Sequence, residues 1–153
     1  MKVIFAVDPG NVQSAYCVLE DGRPTNEFGI IDNESMLDLI YHFHKICFLA
    51  IEQIQSYGMA VGKTIFETCV WSGRFIEAHN IMNEHDNKFI QIPRRDVKLH
   101  LCGSVRAKDT NIRQALIDRF GPPGTKKEPG LTYGFKRDIW AALAVGVTYY
   151  DTI

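Results

Sequence analysis

The chain has 153 residues, a length that fits one domain, 1–153, and 46% of them are hydrophobic, enough for a real core and far from the composition of a disordered chain. No stretch approaches the ~20 uninterrupted apolar residues of a membrane span. An N-terminus with one lysine and then Asp8 inside its apolar run is not a secretory signal, so the chain reads as a cytoplasmic protein with no membrane partner.

Net charge is −1, which alone speaks against a nucleic-acid partner, but the distribution reverses that. Residues 1–93 carry 6 Lys/Arg against 12 Asp/Glu, whereas residues 94–137 carry 11 Lys/Arg against 4 Asp/Glu. An acidic body with one strongly basic segment is the pattern of a polyanion binder. A solvated helix face is the plainer explanation.

Lys2–Val7 reads as a buried strand that runs into Asp8, and Pro9-Gly10 is a turn signal. Ser14–Leu19 is a second strand, Asp21-Gly22 a hairpin turn, and Thr25–Ile31 a third strand. Asn33 or Ser35 can cap a helix carrying Met36, Leu37, Leu39, Ile40 and Phe43. Phe48–Ile51 is a fourth apolar strand, again followed by a carboxylate, Glu52. A long helix runs from about Lys63 to Asn83, and its Trp71 and Phe75 are the expected contact between copies of the chain. Phe89–Ile92 is a short fifth strand, Asp96–Leu101 a short helix, and Asp109 or Thr110 starts another through Phe120. The glycine- and proline-rich segment 121–130 reads as a mobile loop, and a last helix spans about Lys136 to Tyr149. Three hairpin strands, then helix–strand–helix–strand, then helices predict an α/β fold, a mixed sheet with helices on its faces.

Cys17, Cys47, Cys69 and Cys102 form no CxxC pair, and each sits in an apolar run, so reduced core thiols are expected rather than a zinc ribbon. His42 and His44 flank Phe43, and on a helix they point to two faces, which suits surface or capping roles better than a metal. "GMAVGKT" imitates a phosphate-binding loop, but only three residues separate Gly58 from Gly62 where that loop needs four.

Asp8 and Glu52 each follow a strand that looks buried on both faces. A carboxylate there is costly unless something pairs with it. Two of them at neighbouring strand ends repel, and each raises the other's pKa unless a divalent cation sits between them. Oxygen-only ligands favour Mg²⁺ or Mn²⁺. Asp138, at the start of the last helix, is a third candidate, although an N-cap accounts for an Asp there as well.

"AVDPG", "LAIEQ", "VKLHLCGSVRAKDTNIRQAL" and "DIWAALAVG", in order and at fitting spacing, resemble the RuvC-type Holliday junction resolvases, especially the short forms of bacteriophages and prophages, within the ribonuclease H-like superfamily. The resemblance spans Asp8 to Gly146. It implies a ribonuclease H-like five-stranded mixed sheet with its first three strands antiparallel, a homodimer, and hydrolysis of phosphodiesters in branched DNA with two divalent ions ~3.5–4 Å apart. The setting it implies is a bacterial cell or a phage-infected host. Carried over by position, Asp8, Glu52 and Asp138 match the metal-binding acids. The family has a second acid, or a histidine, three positions from the last of these, but here those positions are Phe135 and Ala141. Asp109 is the substitute ligand, or else the N-cap of the Thr110 helix. Lys98 and Lys108 resemble the basic residues beside the scissile phosphate. Tyr57 is the aromatic nearest to the one that stacks at the junction centre. Arg94, Arg95, Arg106, Lys126, Lys127, Lys136 and Arg137 join Tyr57, Lys98 and Lys108 as expected DNA contacts. Two other readings stand beside this one. A junction-binding module without catalysis is disfavoured by the intact acids, and an actin-like phosphotransferase by a chain too short for that duplicated fold.

Overall fold

The structure, a computed structural model, describes residues 1–43, 47–84, 86 and 88–153. Its elements run β1 (Val3–Asp8), β2 (Gln13–Glu20), β3 (Arg23–Asp32), α1 (Asn33–His42), β4 (Phe48–Gln53), α2 (Lys63–Met82), β5 (Phe89–Pro93), α3 (Arg94–Cys102), α4 (Asp109–Phe120) and α5 (Ile139–Thr152). They form one five-stranded sheet in the order β3-β2-β1-β4-β5. β1–β2 and β2–β3 pair antiparallel, while β1–β4 and β4–β5 pair parallel. The expected sheet is therefore present, with its first three strands antiparallel.

Side-chain alternation along the strands divides the core. Ile4 and Ala6 of β1 and Ala50 of β4 pack on one face with α3, α4 and α5. Val3, Phe5 and Val7, with Leu49 and Ile51, pack on the other with α1 and α2. Small residues let α5 lie close to the sheet. A Cβ added at Gly146 would stand 2.6 Å from Leu19 Cδ1 and 2.9 Å from Ala6 Cβ. Leu19 is fully buried and Ala6 is fixed on β1, so neither neighbour can yield. Gly146→Ala should lower stability by ~1–2 kcal/mol, overpacking outweighing the gain in helix propensity. At ~2–4 °C per kcal/mol for a domain of this size, a thermal melt should fall by about 5 °C. An unchanged melt would mean that α5 can move off the sheet.

Several expectations change. The α1 cap is Asp32, whose carboxylate accepts from the Ser35 N–H (2.9 Å) and hydroxyl (2.7 Å). Asn33 is buried and serves elsewhere, as shown below. Phe75 is fully buried in the core, and the exposed large apolar residues on α2 are Phe66, Val70, Ile81 and Met82. Trp71 is half-buried, with the Arg74 guanidinium 4.1 Å from its ring centroid. Cys17 and Cys47 are buried as expected, but Cys69 is exposed and Cys102 half-buried, and all four are free thiols. His42 donates from Nδ1 to the Asp38 carbonyl (2.8 Å), while His44 lies outside the described residues. The segment read as a mobile loop is closed by hydrogen bonds of its own, from Gly130 N–H to the Pro123 carbonyl (2.8 Å) and from Thr125 N–H to the Glu128 carbonyl (3.1 Å). Lys126 and Lys127 are exposed at the tip of that turn. Among the described residues no helix is long and apolar enough to cross a membrane.

Candidate active site

β1, β4 and β5 run parallel, so their C-terminal ends open on one edge, where ligands of parallel sheets bind. The pairing register sets Val7 beside Ile51, and so Asp8 beside Glu52. Both acids share strand parity with Ala6 and Ala50 and therefore face α5. Asp138 sits at the N-terminus of α5. It occupies the N-cap position, but its side chain makes no capping hydrogen bond. It lines a pocket of about 280 Å³ together with Glu52, Arg94, Asp109, Arg137 and Ala141. The structure thus brings together the three expected acids, contributed by β1, β4 and α5.

Electrostatics mark Asp8 as the most perturbed group. Its pKa is pushed up to about 9, first by burial, then by the Glu52 carboxylate it touches and by Asp138, with Arg94 opposing the rise. Glu52 is itself buried. Like charges brought together out of water need a proton or a cation between them.

The turn after Asp8 is locked by a network that the sequence reading missed. Gly10 N–H donates to Ser14 Oγ (3.1 Å), Ser14 donates to Asn33 Oδ1 (2.6 Å), and Asn33 Nδ2 donates to the Gly10 carbonyl (2.9 Å). Ser14 and Asn33 are both buried. A Cβ at Gly10 would stand 2.2 Å from the Gln13 carbonyl oxygen, so the glycine answers to the turn's own packing. A polar residue at an inward position of β2 was the available signal.

Asp109 is not an N-cap. The residue preceding α4 is Lys108, whose N–H donates to Asn111 Oδ1 (2.9 Å). The Asp109 side chain is 80% exposed and pairs with Arg94. Arg94 also lies 3.4 Å from Glu52 Oε1, so one guanidinium bridges the two acids. Arg94 was expected only as a DNA contact, yet it belongs to the site as well. The signal was topological: β5 neighbours β4, so the first residue after β5 falls beside the end of the strand that carries Glu52. Arg137, which lines the same pocket, holds a left-handed backbone (φ +47°) immediately before Asp138.

Next to the acids lies a groove lined by Tyr57, Arg94, Arg95, Lys98 and Val105. Lys98 is placed there rather than in the acidic pocket. Lys108 and Lys136 are exposed, next in sequence to the pocket residues Asp109 and Arg137. Arg106 lines a separate depression with Cys102 and Asn111.

Among the described residues no three His, Cys, Asp or Glu side chains already surround one point. The chemistry nevertheless fits a divalent ion, because Asp8 and Glu52 touch, Asp138 bears on them electrostatically, and all their donors are oxygen.

The order and pairing of the strands, with helices on both faces of the sheet, are those of the RuvC fold. Its solved counterparts include the Thermus thermophilus RuvC structure, with TM-score 0.68, 16% identity, and coverage of 98% of this chain and 95% of that one. T. thermophilus RuvC in complex with Holliday junction substrate superposes with TM-score 0.64 at 15% identity, covering 97% and 92%. No protein-family model and no curated protein matches the sequence. The likeness is one of fold.

Proposed function

We propose that the chain, acting over 1–153 as one nuclease domain, is a divalent-metal-dependent endonuclease that cuts four-way DNA junctions. The observation that carries this is the touching pair of half-buried Asp8 and buried Glu52 near Asp138, on a fold shared with a RuvC in complex with Holliday junction substrate. Asp8, Glu52 and Asp138 would hold Mg²⁺ or Mn²⁺. When bound, such an ion supplies an activated water and neutralises charge on the phosphodiester. The chain's own contribution is placement. Lys98 and Arg95 line the groove beside the acids and suit phosphate oxygens, with Lys108 and Lys136 at the pocket's margin. Tyr57, exposed on the same groove, offers a ring to an unstacked base. A homodimer suits a substrate that is itself two-fold and needs two nicks. Its contact would use the Phe66–Val70 face of α2, since Phe75 is committed to the core.

The test is nicking of a synthetic four-way junction against a linear duplex of the same sequence, with Mn²⁺, with Mg²⁺ and with EDTA. Metal-dependent cutting confined to the junction is expected. Equal cutting of duplex, or cutting in EDTA, would sink the reading. Junction affinity should also fall steeply with salt, by a log–log slope of ~0.9 per phosphate contact. Neutralising Arg95, Lys126 and Lys127 should flatten that slope by about 1–3 units. An unchanged slope would make the basic segment an ordinary solvated surface.

A further inference from the structure

Arg94 puts a permanent positive charge into the acidic pocket. Its guanidinium bridges Glu52 and Asp109, one acid buried and one exposed, and all three line the same pocket. A guanidinium stays charged at every accessible pH and presents a fixed fork of donors to carboxylates. The pocket's charges can be counted. Asp8, Glu52, Asp109 and Asp138 supply at most four negative charges, and Arg94 and Arg137 supply two positive ones. One divalent ion brings that sum to neutrality. A second would leave the chain's own groups with an excess of two positive charges around the buried Glu52. Ala141 offers only a methyl group to the same pocket, so α5 brings no further acid beyond Asp138.

We infer that Arg94 takes the place of a second divalent ion, so that the site binds one ion per chain and Asp109 acts as the partner of Arg94 rather than as a metal ligand. The inference rests on the nuclease reading above and departs from the two ions that the family resemblance implies. It gives Arg94 a function distinct from gripping DNA: it holds Glu52 and Asp109 in place, and it presents its remaining N–H groups to an incoming phosphate.

The experiment is a Mn²⁺ titration of the metal-free, DNA-free protein, followed by calorimetry and by the electron paramagnetic resonance of free Mn²⁺. The parent should bind one ion per chain. Arg94→Gln releases both carboxylates and should bind two, and adding Asp109→Asn should return the count to one. A thermal melt of each variant checks that it is folded, and the parental count stands as a test by itself. Two ions on the parent chain would overturn the inference, as would a count that stays at one in folded Arg94→Gln. If two ions bind while junction nicking is intact, only the role of Arg94 falls. If no ion binds and no divalent metal supports nicking, the nuclease reading falls with it.

Discussion

Asp8→Asn should stop junction cleavage and at the same time raise the melting temperature of the metal-free protein. Asp8 is held against Glu52 and near Asp138 in a buried place, and its pKa rises to about 9. A group whose folded-state pKa lies above its unfolded value, here the ordinary 3.8, stabilises the fold fully at pH below that ordinary value. That contribution is lost as pH rises from about 4 through about 9, because over this interval the folded chain retains a proton that the unfolded chain has released. At pH 8 the metal-free fold therefore carries a strained acid. Asparagine keeps the shape and is neutral in both the folded and the unfolded chain, so the cost of holding a proton on Asp8 disappears. A rise of about 5 °C in EDTA at pH 8 is expected, ~1–2 kcal/mol at the sensitivity of a domain this size, and it should shrink toward pH 4. Cleavage should fall by more than ~100-fold, since even the outer partners of metal ligands are worth ~10–100-fold. Junction binding should survive, because an acid inside an acidic pocket does not attract DNA. Full cleavage would remove Asp8 from the site. An unchanged melt at every pH would show that its carboxylate is not under strain, and the case for a cation between Asp8 and Glu52 would weaken with it.

The same trade-off explains which parts of this protein could be read from its sequence. An apolar strand ending in a carboxylate announces itself twice, at Asp8 and at Glu52, because buried charge breaks a strong local pattern. Strand alternation carried more than that. Asp8 lies an even number of residues from Ile4 and Ala6, as Glu52 does from Ala50, and that parity alone sends both acids to the α5 face. The mixed sheet followed from the hairpin turns and the helical crossovers, which leave few alternatives. What stayed hidden depended on which surfaces meet. Arg94 reads as one more cation in a basic run until β5 is known to lie beside β4. Asn33 looks like a helix cap because the residue types suited to caps are also those suited to locking a turn, and only burial separates the two roles. Phe66 and Phe75, nine residues apart, stand on opposite sides of α2, and residue type alone could not say which one faces the sheet. Segment 121–130 has the composition of a mobile loop, but hydrogen bonds between its own residues close it.

Tyr57→Ala should reduce junction cleavage by about tenfold or more while leaving stability nearly unchanged. Tyr57 and Gly58 both take left-handed backbone angles, φ +51° and +79°, and the turn is closed by the Met59 N–H donating to the Ser56 carbonyl (2.9 Å). Two consecutive positive φ values across such a bond make a type I′ turn. Most chains place asparagine, aspartate or glycine in the first central position, because a larger side chain there costs roughly 1–2 kcal/mol. An aromatic residue held in that conformation and left 57% exposed gains nothing from the core that would offset the cost. Its ring lies on the groove that Arg95 and Lys98 make basic, beside the carboxylates. Stacking of a base on such a ring is worth ~1–3 kcal/mol, and ~1.4 kcal/mol is a factor of ten in rate. A four-way junction exposes base faces at its centre that a linear duplex does not, so the loss should appear in junction nicking and not in duplex binding. Two companion variants separate ring from backbone. Tyr57→Phe should keep most of the activity, because stacking needs the ring and not the hydroxyl. Tyr57→Gly should melt at or above the parental temperature, because the strain is relieved, and yet nick as poorly as Tyr57→Ala. Parental nicking by Tyr57→Ala would show that the ring is not the wedge, and Met59, the next exposed apolar side chain of the turn, would be the residue to replace.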